Sequence, residues 1–127
     1  MLSANPLECS LEGFRLSSEY RGDVAIVTIH GDLDIVSSRE LDEHMTRARR
    51  QQSRLILDLA GVDFMDTSSL AVIVGHWKKL EASGGTLMLA GARYQYTKTL
   101  WVTGLAGRIP LYENVEQAVA ATDAALP

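Results

Sequence analysis

Residues 55–75 read Leu-Ile-Leu-Asp-Leu-Ala-Gly-Val-Asp-Phe-Met-Asp-Thr-Ser-Ser-Leu-Ala-Val-Ile-Val-Gly, and the spacing of their apolar positions changes once. Arg54–Leu59 is a short, nearly continuous apolar strand, the kind buried on both faces of a parallel sheet, and it is followed by Gly61. Beyond Asp66-Thr67-Ser68-Ser69, the residues Leu70, Ile73, Val74, Trp77 and Leu80 recur at the spacing of one helix face. A strand, a polar corner and a helix follow one another. The corner gathers one aspartate and three hydroxyls where a helix starts, a place with free backbone N–H groups that favours an anion. A phosphate added or removed there leaves the fold intact.

Outward from that corner, Phe14–Tyr20 and the β-branched run Val24–Ile29 flank the turn composition Arg21-Gly22-Asp23 and predict a hairpin. Gly31-Asp32-Leu33-Asp34 closes the second strand and leaves Asp32 and Asp34 in a loop running to Ser38. Ser37 or Ser38 then caps a helix with Leu41, Met45 and Ala48 inward. On the other side, Ser83-Gly84-Gly85 stops the central helix, and a strand follows over Thr86–Ala90. A helix over Tyr94–Thr103, with Leu100 and Trp101 inward and Gly104 as C-cap, leads to a minimal strand at Ile109–Leu111. Asn114 with Gln117 forms a capping box for a last helix with Val115, Ala118 and Val119 inward.

The expected order is β-β-α-β-α-β-α-β-α, a single α/β domain with a mixed, mostly parallel sheet, an N-terminal hairpin strand and about four helices. The domain is expected over 13–122, between a flexible segment 1–12 and a tail 123–127. At 127 residues the chain has room for one core. Its 46% apolar and 22% charged residues are ordinary for a soluble globular protein. A net charge of −4 argues against a nucleic-acid partner. The densest basic run, Arg47-Ala48-Arg49-Arg50, lies at a predicted helix end, where it complements the dipole. The single cysteine, Cys9, fits a reducing compartment. No apolar stretch approaches the roughly 20 residues that span a bilayer, and Met1–Pro6 has neither part of a signal peptide. A cytoplasmic location and no membrane partner are expected.

In an open α/β sheet, function gathers beyond the carboxyl ends of the strands, and the loops Asp32–Ser38 and Asp63–Ser69 lie there. If their strands are neighbours, Asp34 approaches Ser68, with Met65 as an exposed apolar contact. A serine hydrolase needs a base for its nucleophile, yet His76 stands about 12 Å along the helix from Ser68 at about 1.5 Å per residue. His30 and His44 lie on other elements, and no Gly-x-Ser-x-Gly elbow occurs. No catalytic residue, metal or cofactor is expected. One of Asp66, Thr67 or Ser68 suffices to cap the helix, so the surplus hydroxyls are solvated or engaged by something else.

Val62-Asp63-Phe64-Met65-Asp66-Thr67-Ser68-Ser69-Leu70 resembles the signature of bacterial anti-sigma factor antagonists, compact proteins of the STAS domain class. In that family the turn reads Asp-Ser/Thr-Ser-Gly-Leu, and the serine before the glycine is phosphorylated; the matching residue is Ser68. Gly31-Asp32-Leu33-Asp34 is similar to the family's Gly-Glu-Leu-Asp loop, which puts Asp34 in a partner-binding patch, and Thr103-Gly104-Leu105 is similar to the end of the family's third helix. The likeness runs from about Phe14 to Ala121.

The resemblance implies a partner switch. The unphosphorylated protein binds an anti-sigma factor that is itself a serine kinase and so frees a sigma factor. Phosphorylation at Ser68 ends the binding, and a serine phosphatase of the PP2C type resets it. The protein is expected to be a monomer on its own. The patch comprises Asp32, Asp34, Met65, Asp66, Thr67, Ser68 and Ser69, extended along the helix by Val72, His76 and Lys79. The family's glycine is Ser69 here, which offers a second hydroxyl beside Ser68; Thr67 and Ser69 are the alternative acceptors. The competing reading is a STAS scaffold in a stress-signalling or lipid-transport complex that binds without being phosphorylated.

Overall fold

Among the described residues six strands hydrogen-bond in sequence order in one sheet, with helices on both of its faces. The computed structural model describes residues 8–11, 13–93 and 108–125. Its elements are β1 (Glu8–Leu11), β2 (Phe14–Arg21), β3 (Val24–Leu33), α1 (Ser37–Gln51), β4 (Arg54–Met65), α2 (Thr67–Ala82), β5 (Thr86–Ala90), β6 (Leu111–Tyr112) and α3 (Val115–Ala125). The β1–β2 and β2–β3 pairs are antiparallel; β3–β4, β4–β5 and β5–β6 are parallel. The sheet is mixed and mostly parallel in its second half, as the alternation of strands and helices predicts. The helix expected over Tyr94–Thr103, with Leu100 and Trp101, lies outside the described residues.

Alternation along β3 and β4 sends side chains to two cores. Ala25, Val27, Ile29, Leu55, Leu57 and Leu59 pack under α1 and α2, against Leu41, Met45, Ala48, Ile73, Trp77 and Leu80. Val24, Ile26 and Ile56 pack with Met88, Ala90 and Ala118 on the side of α3. Burial on both faces explains why residues 54–59 are apolar almost without interruption. Each fully buried Leu or Ile contributes about 1.5–3 kcal/mol relative to exposure. Trp77 is inward, as its spacing predicts, and the Arg108 guanidinium lies 5.0 Å from its ring centre. Among the described residues no helix is long and apolar enough to cross a membrane.

The strands depart from expectation in length. β4 does not stop at Leu59, and the loop expected over Asp63–Ser69 is strand as far as Met65. Likewise β3 runs through Asp32 to Leu33. The two continue as a parallel pair through register shifts, ending with Asp32 opposite Phe64 and Leu33 opposite Met65. Gly61 permits this, since a Cβ there would overlap the His30 ring that lies over it. Gly31, at φ +100°, likewise leaves room for the Gly13 carbonyl, and Asp32 N–H donates to that oxygen at 3.1 Å.

The ends differ too. Glu8–Leu11, expected to be flexible, pairs with Phe14–Ser17. The last strand is Leu111–Tyr112 rather than Ile109–Leu111, with Ile109 buried in the larger core. α3 runs to Ala125, into the expected tail. Its start shows half of the expected capping box: Gln117 N–H donates to Asn114 Oδ1 at 2.9 Å, while Gln117 Oε1 accepts at 3.2 Å from the N–H of Glu113, one residue before the cap.

Candidate functional site

Asp66 is the N-cap of α2, with extended backbone (φ −95°, ψ 176°). Its carbonyl accepts from Leu70 N–H at 3.2 Å, which begins the helix. Three donors converge on its Oδ1: Ser68 Oγ at 2.7 Å, Ser69 N–H at 2.9 Å and Ser69 Oγ at 3.0 Å. Burial pushes the Asp66 carboxyl up, but the Ser68 and Ser69 hydrogen bonds outweigh it and hold it below the usual carboxylate value. It is a carboxylate at neutral pH.

Asp34 does the matching work at the β3–α1 loop. Its Oδ1 accepts from Val36 N–H at 2.9 Å and Ser37 N–H at 3.0 Å, and it lies 3.2 Å from Ser37 Oγ. The bond from Ser37 N–H is foremost in holding its carboxyl below the ordinary range. Here the expectation of a Ser37 or Ser38 cap is corrected. Both serines lie inside the first turn and are buried, the N-cap position is Val36, and the Asp34 carboxylate collects the free N–H groups instead. Ser38 Oγ donates back to Ile35 O at 3.0 Å.

Adjacency of β3 and β4 brings the two loops together. Asp66 N–H donates to Leu33 O at 3.0 Å, and Ser69 Oγ lies 3.5 Å from the Asp34 carbonyl oxygen. Asp34 and Asp66 are close enough for each charge to act on the other. Asp32 is exposed, on the opposite side of β3 from the buried Leu33, beside Phe64. Only its carbonyl joins the cluster, accepting from Ser37 Oγ at 2.8 Å.

The three hydroxyls of the corner separate cleanly. Thr67 is exposed, Ser68 is half-buried, and Ser69 is 0% exposed. Ser69 is therefore neither a surface contact nor an available acceptor: the third position of the helix turns inward and the Asp66 and Asp34 oxygens close over it. Met65 and Val72, expected to face outward, are half-buried and pack against the larger core.

His76 requires the largest correction. Expected on the solvent face of α2, it is 2% exposed because α1 packs across it. Arg49 Nε donates to its Nδ1 at 3.0 Å, which leaves Nε2–H to donate to Asp42 Oδ1 at 2.6 Å. Burial pushes this imidazole down, Asp42 offsets only part of the effect, and the ring is neutral. It stabilises the contact of α1 with α2 and takes no part at the corner.

Exposed apolar side chains also lie here. Ile35 and Val36 are 66% and 64% exposed, immediately after Asp34. Phe64 is the other large exposed apolar residue among the described ones. Two consecutive apolar residues in a loop, outside any periodic pattern, are the signal that marks the first pair. Among the described residues no group of His, Cys, Asp or Glu is placed to hold a metal ion. Of the two accessible hydroxyls of the corner, Thr67 and Ser68, that of Ser68 directs its proton at a carboxylate.

Residues 15–118 match the sequence model of the STAS domain family. The chain is 31% identical over 107 residues to an anti-sigma F factor antagonist of Paenibacillus polymyxa, covering 83% of this chain and 92% of that protein. It is 30% identical over 93 residues to an anti-sigma-B factor antagonist of Bacillus subtilis, covering 73% and 85% respectively. Among solved structures, an anti-sigma factor antagonist from Mycobacterium paratuberculosis superposes with a TM-score of 0.76 at 21% identity, over 88% of this chain and 96% of that one. The phosphorylated form of the Bacillus cell fate determinant SpoIIAA superposes with a TM-score of 0.72 at 20% identity, over 84% and 98%.

Proposed function

This chain belongs to the STAS domain family, and from that membership we propose that it is an anti-sigma factor antagonist switched by phosphorylation at Ser68. Unmodified, it binds an anti-sigma factor that is also an ATP-dependent serine kinase, and the sigma factor is released. Phosphorylated, it dissociates, and a serine phosphatase restores it. The relatives named for opposing anti-sigma factors support the first part. One observation carries the second: Ser68 is the reachable serine of the corner, while Ser69 is sealed.

The docking surface of this reading combines Ser68 and Thr67 with the Asp34 and Asp66 carboxylates and the apolar pair Ile35 and Val36. Its acidity fits a basic partner surface. A phosphoserine adds about −1.5 to −2 charges. The helix N-terminus offsets part of that in the free protein. In a complex the dianion loses water beside Asp34 and Asp66, and an uncompensated buried charge costs about 2–5 kcal/mol, or about 30- to several thousand-fold in affinity. The complex dissociates and the fold remains.

A pull-down with the unmodified protein from ATP-depleted and ATP-replete extracts, followed by intact mass, tests this. Capture of a kinase-type partner only without ATP, with one phosphate gained at Ser68 when ATP is present, is expected. A stable complex indifferent to ATP, with no mass gain, contradicts it and favours the scaffold reading.

A further inference from the structure

Taking Ser68 as the modified residue, as proposed above, we propose that Ser69 is a positioning residue whose sealed hydroxyl keeps the Asp66 carboxylate on the cap of α2 after Ser68 is phosphorylated. Transfer of the γ-phosphoryl group of ATP makes the Ser68 Oγ–P bond, breaks the bond to the oxygen that leaves with ADP, and releases the Ser68 hydroxyl proton. Oγ then has no hydrogen to donate. Two acceptors face each other across the 2.7 Å that a hydrogen bond had spanned, and they separate.

Two anions then compete for one strong donor, the Ser69 N–H in the first turn of the helix. A phosphate is well suited to such a site and so is a carboxylate. The Ser69 hydroxyl decides between them. It donates to Asp66 Oδ1 at 3.0 Å, it lies 3.5 Å from the Asp34 carbonyl, and it is closed off from solvent. It therefore adds to the hold on the carboxylate and gives nothing to the phosphate. Asp66 keeps its cap and its backbone bond to Leu33, and the dianion is displayed outward, where a partner meets it. With no hydroxyl at this position, the phosphate folds onto the helix and Asp66 is expelled.

The test needs no kinase. Phosphoserine is placed at position 68 by genetically encoded incorporation, in the natural background and in Ser69→Ala, and melting is compared with the two unmodified proteins. Exchange of the capping carboxylate for the phosphate only in the Ser69→Ala background predicts that phosphorylation shifts Tm by about 3–6 °C differently in the two backgrounds. An equal shift in both backgrounds overturns the role of Ser69 and leaves the switch itself standing, since binding is not measured. A merely structural serine moves both melting curves alike. Should Ser69→Ala fail to fold, amide NMR of the natural sequence decides: a Ser69 N–H resonance that does not follow the titration of the phosphate supports the clamp, and one that takes on that titration overturns it.

Discussion

The Ser68 hydroxyl donates to the Asp66 carboxylate at 2.7 Å, so the residue that caps α2 also orients the hydroxyl assigned to the switch. Asp66→Ala removes the acceptor for Ser68 and for both donors of Ser69. The loss of an N-cap costs about 0.5–2 kcal/mol, so a lower urea midpoint is expected with the α-helical spectrum kept. Asp66→Asn, which keeps an acceptor oxygen, restores most of the stability.

Ile35→Ser and Val36→Ser separate docking from folding. Both side chains are largely exposed, so neither substitution costs more than about 0.5 kcal/mol of stability. As apolar contacts of the docking surface they matter more in the complex, and a loss of affinity of about tenfold or more is expected for each. Calorimetric titration against the captured partner, beside a thermal melt, checks both halves.

Acid weakens the fold before it reaches the carboxylates. His44 and His76 are buried, and burial lowers both imidazoles; among the described residues His44 Nε2 also has no hydrogen-bond partner. The unfolded chain therefore takes up protons more readily than the folded one. The stability these rings allow is complete above about pH 6.5, the ordinary histidine value, and is lost as pH falls through their lower folded values. Asp34 and Asp66 act in a separate window, since their lowered values withdraw stability only below about pH 4. Urea midpoints at pH 7.5, 6.5 and 5.5 should fall in that order, and a flat series contradicts the neutral buried histidines.

Gly31→Ala is expected to damage the site from behind. Its φ of +100° disfavours any side chain, and the added carbon would overlap the Gly13 carbonyl. Loss of about 2 kcal/mol or more is expected, with broadened amide signals for Asp32 to Ser37. Gly22→Ala, also at positive φ but with open space around it, costs less.

The corner was legible because the change of period from residue 59 to residue 70 is local, and so were the inward faces of α1 and α2. What escaped depends on partners distant in sequence. Gly61 reads as a stop, yet β4 continues because β3 stays beside it and His30 covers the glycine. Helical spacing places His76 outward, but it cannot register that α1 crosses there with Asp42 and Arg49 ready to satisfy both ring nitrogens. Ser69 looks like a spare hydroxyl in the chain and becomes a sealed one only when the Asp34 loop closes over it.

The most direct measurement compares the affinity of the captured anti-sigma partner for the natural protein and for the same protein carrying phosphoserine at 68. Affinity about 30-fold or more weaker for the phosphorylated form, with both forms folded to the same melting behaviour, is the expected result. Equal affinity for the two forms contradicts the switch.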